Sequence, residues 1–252
     1  MTEPFRIAIP ARHGSTRFPG KPLAPIAGRP MLAHVWARAS EAGAAEIVVA
    51  TDDARIAEAA EGFGADVCFT RDDHASGTDR LAEVVAARGW PDHAIVVNLQ
   101  GDEPLMPPAL LAQVAADLAA HPDAAIATLS VPLGAGEDPA DPNIVKVVSD
   151  RAGYALYFSR AAIPHARGES DAAPRRHLGI YAYRAAFLRR FAGLEPAPLE
   201  RAEQLEQLRA LWHGERIHVA EADAVPAAGV DAPEDIARIE AAFAATEPDN
   251  GD

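Results

Sequence analysis

The chain has 252 residues, 49% hydrophobic and 24% charged, with 37 acidic against 23 basic side chains and a formal net charge of −14. That length holds one large α/β domain, or a domain with a smaller lobe. The acidic balance argues against general binding to nucleic acid or anionic membrane, which needs basic surface, and the single cysteine, Cys68, excludes an intrachain disulfide.

Phe5–Ile9 reads as a short apolar strand. It empties into Pro10-Ala11-Arg12-His13-Gly14-Ser15-Thr16-Arg17-Phe18-Pro19-Gly20-Lys21-Pro22. Glycine lets backbone N–H groups approach an anion closely. Proline reduces the entropy lost on binding. Arg12, Arg17 and Lys21 supply charge and donors for phosphate oxygens. The segment reads as a phosphate-binding loop; the plainer alternative is an ordinary βα loop with surface cations. It is not a P-loop, because five residues separate Gly14 from Gly20 and Pro22 follows Lys21. A dinucleotide G-x-G-x-x-G is also missing.

Strand and helix patterns then alternate. Helices are predicted at 30–37, 54–61, 78–88 and 109–120, and strands at 46–50, 67–70, 94–99 and 125–131. Apolar strands separated by helices indicate a mostly parallel, doubly wound sheet. Cys68 lies in the short third strand and reads as a buried thiol. From residue 132 the rhythm changes. Ile144–Val148, Tyr154–Phe158 and His177–Tyr183 read as strands, and 185–191 and Leu199–Trp212 as helices. We expect a smaller β-rich lobe over 132–216, inserted into an α/β domain formed by 1–131 and 217–252. A strand at 217–220 and a helix at 233–245 close the chain. Met1-Thr2-Glu3-Pro4 carries neither a basic region nor an apolar run, and no apolar run is long enough to span a bilayer. The expectation is a cytoplasmic protein.

Strand 94–99 ends in Gln100-Gly101-Asp102-Glu103-Pro104. An acid just past a buried strand sits at the sheet edge where open α/β folds bind ligands. A carboxylate facing a triphosphate does so through Mg²⁺, a hard cation that prefers oxygen; alternatively Asp102 caps the next turn. In Gly229-Val230-Asp231-Ala232-Pro233-Glu234-Asp235, Asp231 suits a helix N-cap, and taken alone that reading is the stronger. Ser76-Gly77-Thr78 offers hydroxyls and N–H groups before a helix; alternatively it is an N-capped helix start with solvated charges. His177 has no Cys or His at metal-ligand spacing, so no zinc site is expected there.

Four segments also resemble a known family. They are A-R-x-x-S-T-R-x-P-G-K-P-L from Ala11, H-x-S-G-T-x-R from His74, Q-G-D-E-P from Gln100 and G-V-D-x-P-E-D from Gly229. They resemble the signatures of the sugar-acid cytidylyltransferases, most closely the 3-deoxy-manno-octulosonate cytidylyltransferases. The resemblance runs along nearly the whole chain. It implies a nucleotidyltransferase-like fold and transfer of CMP from CTP to 3-deoxy-D-manno-octulosonate (Kdo), the sugar acid of the lipopolysaccharide inner core. It implies Arg12 and Lys21 on the phosphates and Mg²⁺ on Asp102 and Asp231. It places Ala11, Ser15, Ser76, Gly77, Arg80 and Gln100 around the nucleotide. Tyr157–Arg160, His177–Tyr181 and Leu205–Arg209 likewise resemble family motifs. Gln100, Arg160, His177, Tyr181, Glu206 and Gln207 would then hold the sugar acid, with Arg160 on its carboxylate. It also implies a homodimer through the inserted lobe. Two alternatives stay open: a cytidylyltransferase for 8-amino-Kdo or sialic acid, and a non-catalytic nucleotide-binding regulator.

Overall fold

Along β1 (Phe5–Ala11), Phe5, Ile7 and Ile9 enter one apolar layer and Ala8 enters another. A strand buried on both faces belongs in the middle of a covered sheet. The computed structural model describes residues 4–14, 18–74, 76–168 and 172–246 and places β1 there. After β1 come a 3-10 turn (Lys21–Leu23), a two-residue hairpin of β2 (Pro25–Ile26) and β3 (Arg29–Pro30), and α1 (Met31–Ser40). Next are β4 (Glu46–Thr51), α2 (Ala54–Gly62), β5 (Asp66–Phe69), α3 (Gly77–Ala87), β6 (Ile95–Asn98), α4 (Pro108–Ala120) and β7 (Ile126–Pro132). The second half runs β8 (Lys146–Ser149), β9 (Ala155–Ser159), β10 (Arg175–Arg184), α5 (Ala185–Phe191), α6 (Pro198–Glu203), α7 (Gln207–Trp212), β11 (Ile217–Glu221) and α8 (Asp235–Thr246).

The central sheet has the order β11-β7-β10-β6-β1-β4-β5. Its pairs are parallel except at β10, which runs antiparallel to both β6 and β7. Helices α1, α2 and α4 cover one face and α3, α5 and α7 the other, the doubly wound arrangement expected from the alternation. The C-terminal ends of the parallel strands therefore share one edge. A third apolar cluster, Ala24, Ile26, Met31, Val230 and Ile239, packs the β2–β3 hairpin against α8 at that edge. It brings the first loop next to a segment about two hundred residues downstream. Among the described residues no helix is long and apolar enough to cross a membrane. Cys68 is buried, and burial pushes its thiol pKa up.

Four features depart from the sequence expectations. The strand expected inside the inserted lobe, β10, runs through the central sheet, and only its first residues reach out to pair with β8. The helix expected over Leu199–Trp212 is two helices, because Gln204 takes a left-handed conformation (φ 51°) and buries Leu205. Helix α8 starts at Asp235, and the carboxylate that caps the turn before it is that of Asp235, accepting from the Asp231 and Ala232 amides. The β2–β3 hairpin and its 3-10 turn lie where only a loop was expected.

Candidate active site

At the shared strand edge lies a cleft of about 290 Å³ whose walls come from the ends of β1 and β6, the first loop, the start of α3 and the Asp231 segment. Ala11, Arg12, Lys21, Ser76, Gly77, Arg80, Gln100, Asp102 and Asp231 all line it. Ser15 lies outside the described residues, as does Arg17. Two glycines make the convergence possible. A Cβ on Gly101 would stand 2.9 Å from the Pro10 carbonyl oxygen, and one on Gly229 would stand 2.9 Å from the carbonyl oxygen of Asp102. The ends of β1 and β6, and the segment before Asp231, could not approach this closely with side chains there.

Lys21 ties this end together. Its Nζ donates to Asp102 Oδ2 at 2.5 Å and to the Val230 carbonyl at 2.8 Å. Beside it lie Asp231 and Glu103. Burial, then the charges of Asp102 and Asp231, push the Glu103 carboxyl up to about 7. Asp102 and Asp231, two carboxylates in one cleft wall, are a suitable oxygen donor set for Mg²⁺.

At the other end of the cleft, Ser76 caps α3, accepting from the Asp79 amide and donating to Asp79 Oδ2 at 2.9 Å. Arg80 lines the wall, but its NH1 and NH2 already donate to Thr70 Oγ1, the Arg71 carbonyl and Asp52 Oδ2. It fixes the wall's shape, and His74 stands beside it. The His74 ring contacts the Glu83 carboxylate through Nε2 and lines the same cleft. The residue-by-residue reading passed over His74, although it opens the H-x-S-G-T-x-R pattern.

A second cleft, of about 380 Å³, adjoins β8 and β10. His177, Tyr181 and Gln207 line it together with Asn143 and Arg176. Burial lowers the His177 pKa to about 3, so its imidazole is neutral. Glu206 lines a small cavity with Thr78, Tyr181 and Gln207. Its carboxylate takes a hydrogen bond from Thr78, and burial raises its pKa. Arg160 is a correction. Its guanidinium donates to the carbonyls of Glu203 (2.7 Å), Pro142 (2.8 Å) and Gln204 (3.4 Å). It clamps the break between α6 and α7, and the cation that lines the cleft is Arg176, paired with Glu137 at 2.5 Å. Lys146, which reads as a strand-surface charge, is fully buried and donates to the carbonyls of Asp141, Ile144 and Arg160. It holds the 141–144 loop as one wall of this cleft.

Comparison with known proteins gives the family. The sequence profile of the family described as "Cytidylyltransferase" matches residues 7–217. The 3-deoxy-manno-octulosonate cytidylyltransferase of Halorhodospira halophila is 58% identical over 244 residues, covering 93% of this chain and 95% of its own. That of Alkalilimnicola ehrlichii is 58% identical over 257 residues, covering 98% and 99%. The chain belongs to the 3-deoxy-manno-octulosonate cytidylyltransferase family. A CMP:2-keto-3-deoxy-manno-octonic acid synthetase solved in complex with CTP superposes with a TM-score of 0.90 at 43% identity, covering 96% of this chain and 99% of its own. Among the described residues of this cytidylyltransferase, one further group has metal-ligand chemistry: Asp117, His121 and His218, whose ligand atoms lie within 4.8 Å of one another. The two imidazoles stack 3.5 Å apart, only 16° from parallel. In-plane lone pairs of stacked rings do not meet at a point, so this arrangement does not converge on a cation. It packs the turn before β9 against β11, with the Tyr154 ring edge-on to His218 and the Val219 amide bonded to the Gly153 carbonyl.

Proposed function

We propose that this chain transfers CMP from CTP to Kdo and releases pyrophosphate. One observation carries the reading. Lys21 joins Asp102 to the backbone beside Asp231 in the first cleft, and Thr78, next to Gly77 of that cleft, donates to Glu206, next to Gln207 of a second, polar cleft. The first cleft suits a nucleoside triphosphate and the second a polyhydroxylated acid.

The acceptor's anomeric hydroxyl oxygen forms a bond to the α-phosphorus of CTP. The bond from that phosphorus to the bridging oxygen breaks, its electron pair leaves with pyrophosphate, and the hydroxyl proton passes to water. Such transfer depends on alignment and charge stabilisation rather than on a covalent enzyme intermediate. Arg12 and Lys21 stabilise charge on the phosphates. Asp102 and Asp231 would hold Mg²⁺, which neutralises the phosphates and acidifies the attacking hydroxyl. Gln100 lines the first cleft just past β6 and would face both nucleotide and acceptor. His177, Tyr181 and Gln207 bind acceptor hydroxyls, and Arg176 rather than Arg160 faces its carboxylate. The product would supply a glycosyl transfer of lipopolysaccharide assembly, with the enzyme acting in the cytoplasm. The expected two-fold dimer runs through the β8–β9 hairpin, where Leu156 is 63% exposed. Light scattering at micromolar protein tests the dimer, and a monomeric mass refutes it.

The decisive assay is pyrophosphate release with CTP and Mg²⁺ against Kdo, 8-amino-Kdo and sialic acid. Kdo is expected to be the best acceptor. A preference for either of the others overturns the acceptor, and no release with any overturns the transferase reading.

A further inference from the structure

The pairing of β10 with β7 contains a break. Leu178 lies opposite Leu129, and the next paired residue is Tyr181, opposite Thr128, so Gly179 and Ile180 are two extra residues on β10. The consequence is large. In a regular strand, residues four apart are about 13 Å apart. Here the rings of His177 and Tyr181 have centroids 5.3 Å apart. The bulge therefore turns two distant strand positions into neighbours on one cleft wall.

Thr128 sits under the bulge with no exposure to solvent. Its Oγ1 is 2.7 Å from the Ile180 carbonyl, 3.1 Å from the Leu178 carbonyl and 3.0 Å from His177 Nε2. A hydroxyl has one proton and two lone pairs. Carbonyls can only accept. If the proton pointed at His177, two carbonyl oxygens would face a hydroxyl lone pair at close range. The proton therefore goes to the carbonyls, and His177 donates Nε2–H to Oγ1. With a neutral ring, Nδ1 is then a bare acceptor.

We propose that Thr128 is a positioning residue for the sugar-acid cleft: its hydroxyl staples the β10 bulge and holds His177 in the Nε2–H tautomer, so that Nδ1 can accept from an acceptor hydroxyl. The proposal rests on the reading that this cleft binds the sugar acid. Ring packing supports it, because Phe158 lies edge-on to His177 at 5.0 Å and resists rotation of the imidazole. Valine in place of Thr128 keeps the shape and removes the hydroxyl, whereas serine keeps the hydroxyl.

The test compares Thr128→Val, Thr128→Ser and His177→Gln for KM of Kdo, KM of CTP and kcat, with the His177 tautomer read by long-range ¹H–¹⁵N correlation. Thr128→Val is expected to raise KM for Kdo about tenfold, the size of one lost hydrogen bond, with KM for CTP unchanged within about twofold. Thr128→Ser is expected to restore wild-type values. The wild-type spectrum is expected to show the Nε2–H ring, and it keeps the test open if Thr128→Val fails to fold. An Nδ1–H ring in the wild type overturns the proposal. So does a folded Thr128→Val enzyme with wild-type KM for Kdo while His177→Gln raises it. If His177→Gln leaves KM for Kdo unchanged, the cleft assignment fails instead, and the tautomer spectrum alone decides the staple.

Discussion

The two clefts share one sheet edge but are built on opposite electrical principles. The phosphate end gathers formal charge: Lys21 stands against Asp102, with Asp231 in the same wall, and burial followed by these two acids raises the Glu103 carboxyl to about 7. Apart from Arg176 with its Glu137 partner, the acceptor end holds neutral groups whose hydrogen bonds are fixed from behind, such as His177 by Thr128 and the 141–144 loop by Lys146. Charge at the phosphate end acts on charge that grows in the transition state. Fixed neutral polar groups at the other end read the pattern of hydroxyls on one sugar. Turnover should therefore depend most on the first region and acceptor choice on the second.

The largest effect is expected at the acids. Asp102→Asn and Asp231→Asn should each lower kcat about 100-fold or more in the presence of Mg²⁺, with thermal melting near wild type. Activity close to wild type in either variant removes that residue from the charged region. Next is Lys21→Ala. It should lower kcat by roughly 10- to 100-fold, because the departing pyrophosphate carries growing charge. A change confined to KM for CTP would make Lys21 a docking residue and blur the contrast between the regions.

A smaller pair of effects separates two arginines. Arg160→Ala removes donors from three carbonyls and should cost about 1–2 kcal/mol, a Tm loss of roughly 2–8 °C. Arg176→Ala should raise KM for Kdo about tenfold with little change in Tm. The reverse pattern, Arg160 governing the acceptor and Arg176 the melting, would restore the assignment made from the sequence. At neutral pH the smallest effect is that of the His177 proton, which shows only as acid is added. His177 has a folded pKa near 3, below its ordinary 6.5. Its contribution to stability is therefore present above pH 6.5 and is lost as pH falls from 6.5 toward 3. Unfolding of His177→Gln should lack one proton's slope in that window, about 1.4 kcal/mol per pH unit. Parallel curves for the two proteins would show that the imidazole is not held neutral.

The same contrast explains what could be read before the structure was known. The charged end is legible in the sequence because its signals are local. A strand end followed by glycine, proline and a cation or acid states both position and chemistry, as at Pro10–Lys21 and Gln100–Glu103. The acceptor end depends on contacts between distant segments. The alternating pattern of His177–Tyr183 predicts a strand, but not its place between β6 and β7 or its two extra residues. Gln204 carries no glycine or proline signal for its left-handed turn, so the break after α6 was invisible, and with it the carbonyls that engage Arg160. Lys146 and Thr128 look like ordinary strand residues until their partners, supplied by other parts of the chain, are in place.

The most direct test of this division is the two-substrate kinetics of His177→Gln. The account predicts KM for Kdo raised about tenfold with KM for CTP unchanged within about twofold. A parallel rise in both, or a rise for CTP alone, would contradict it.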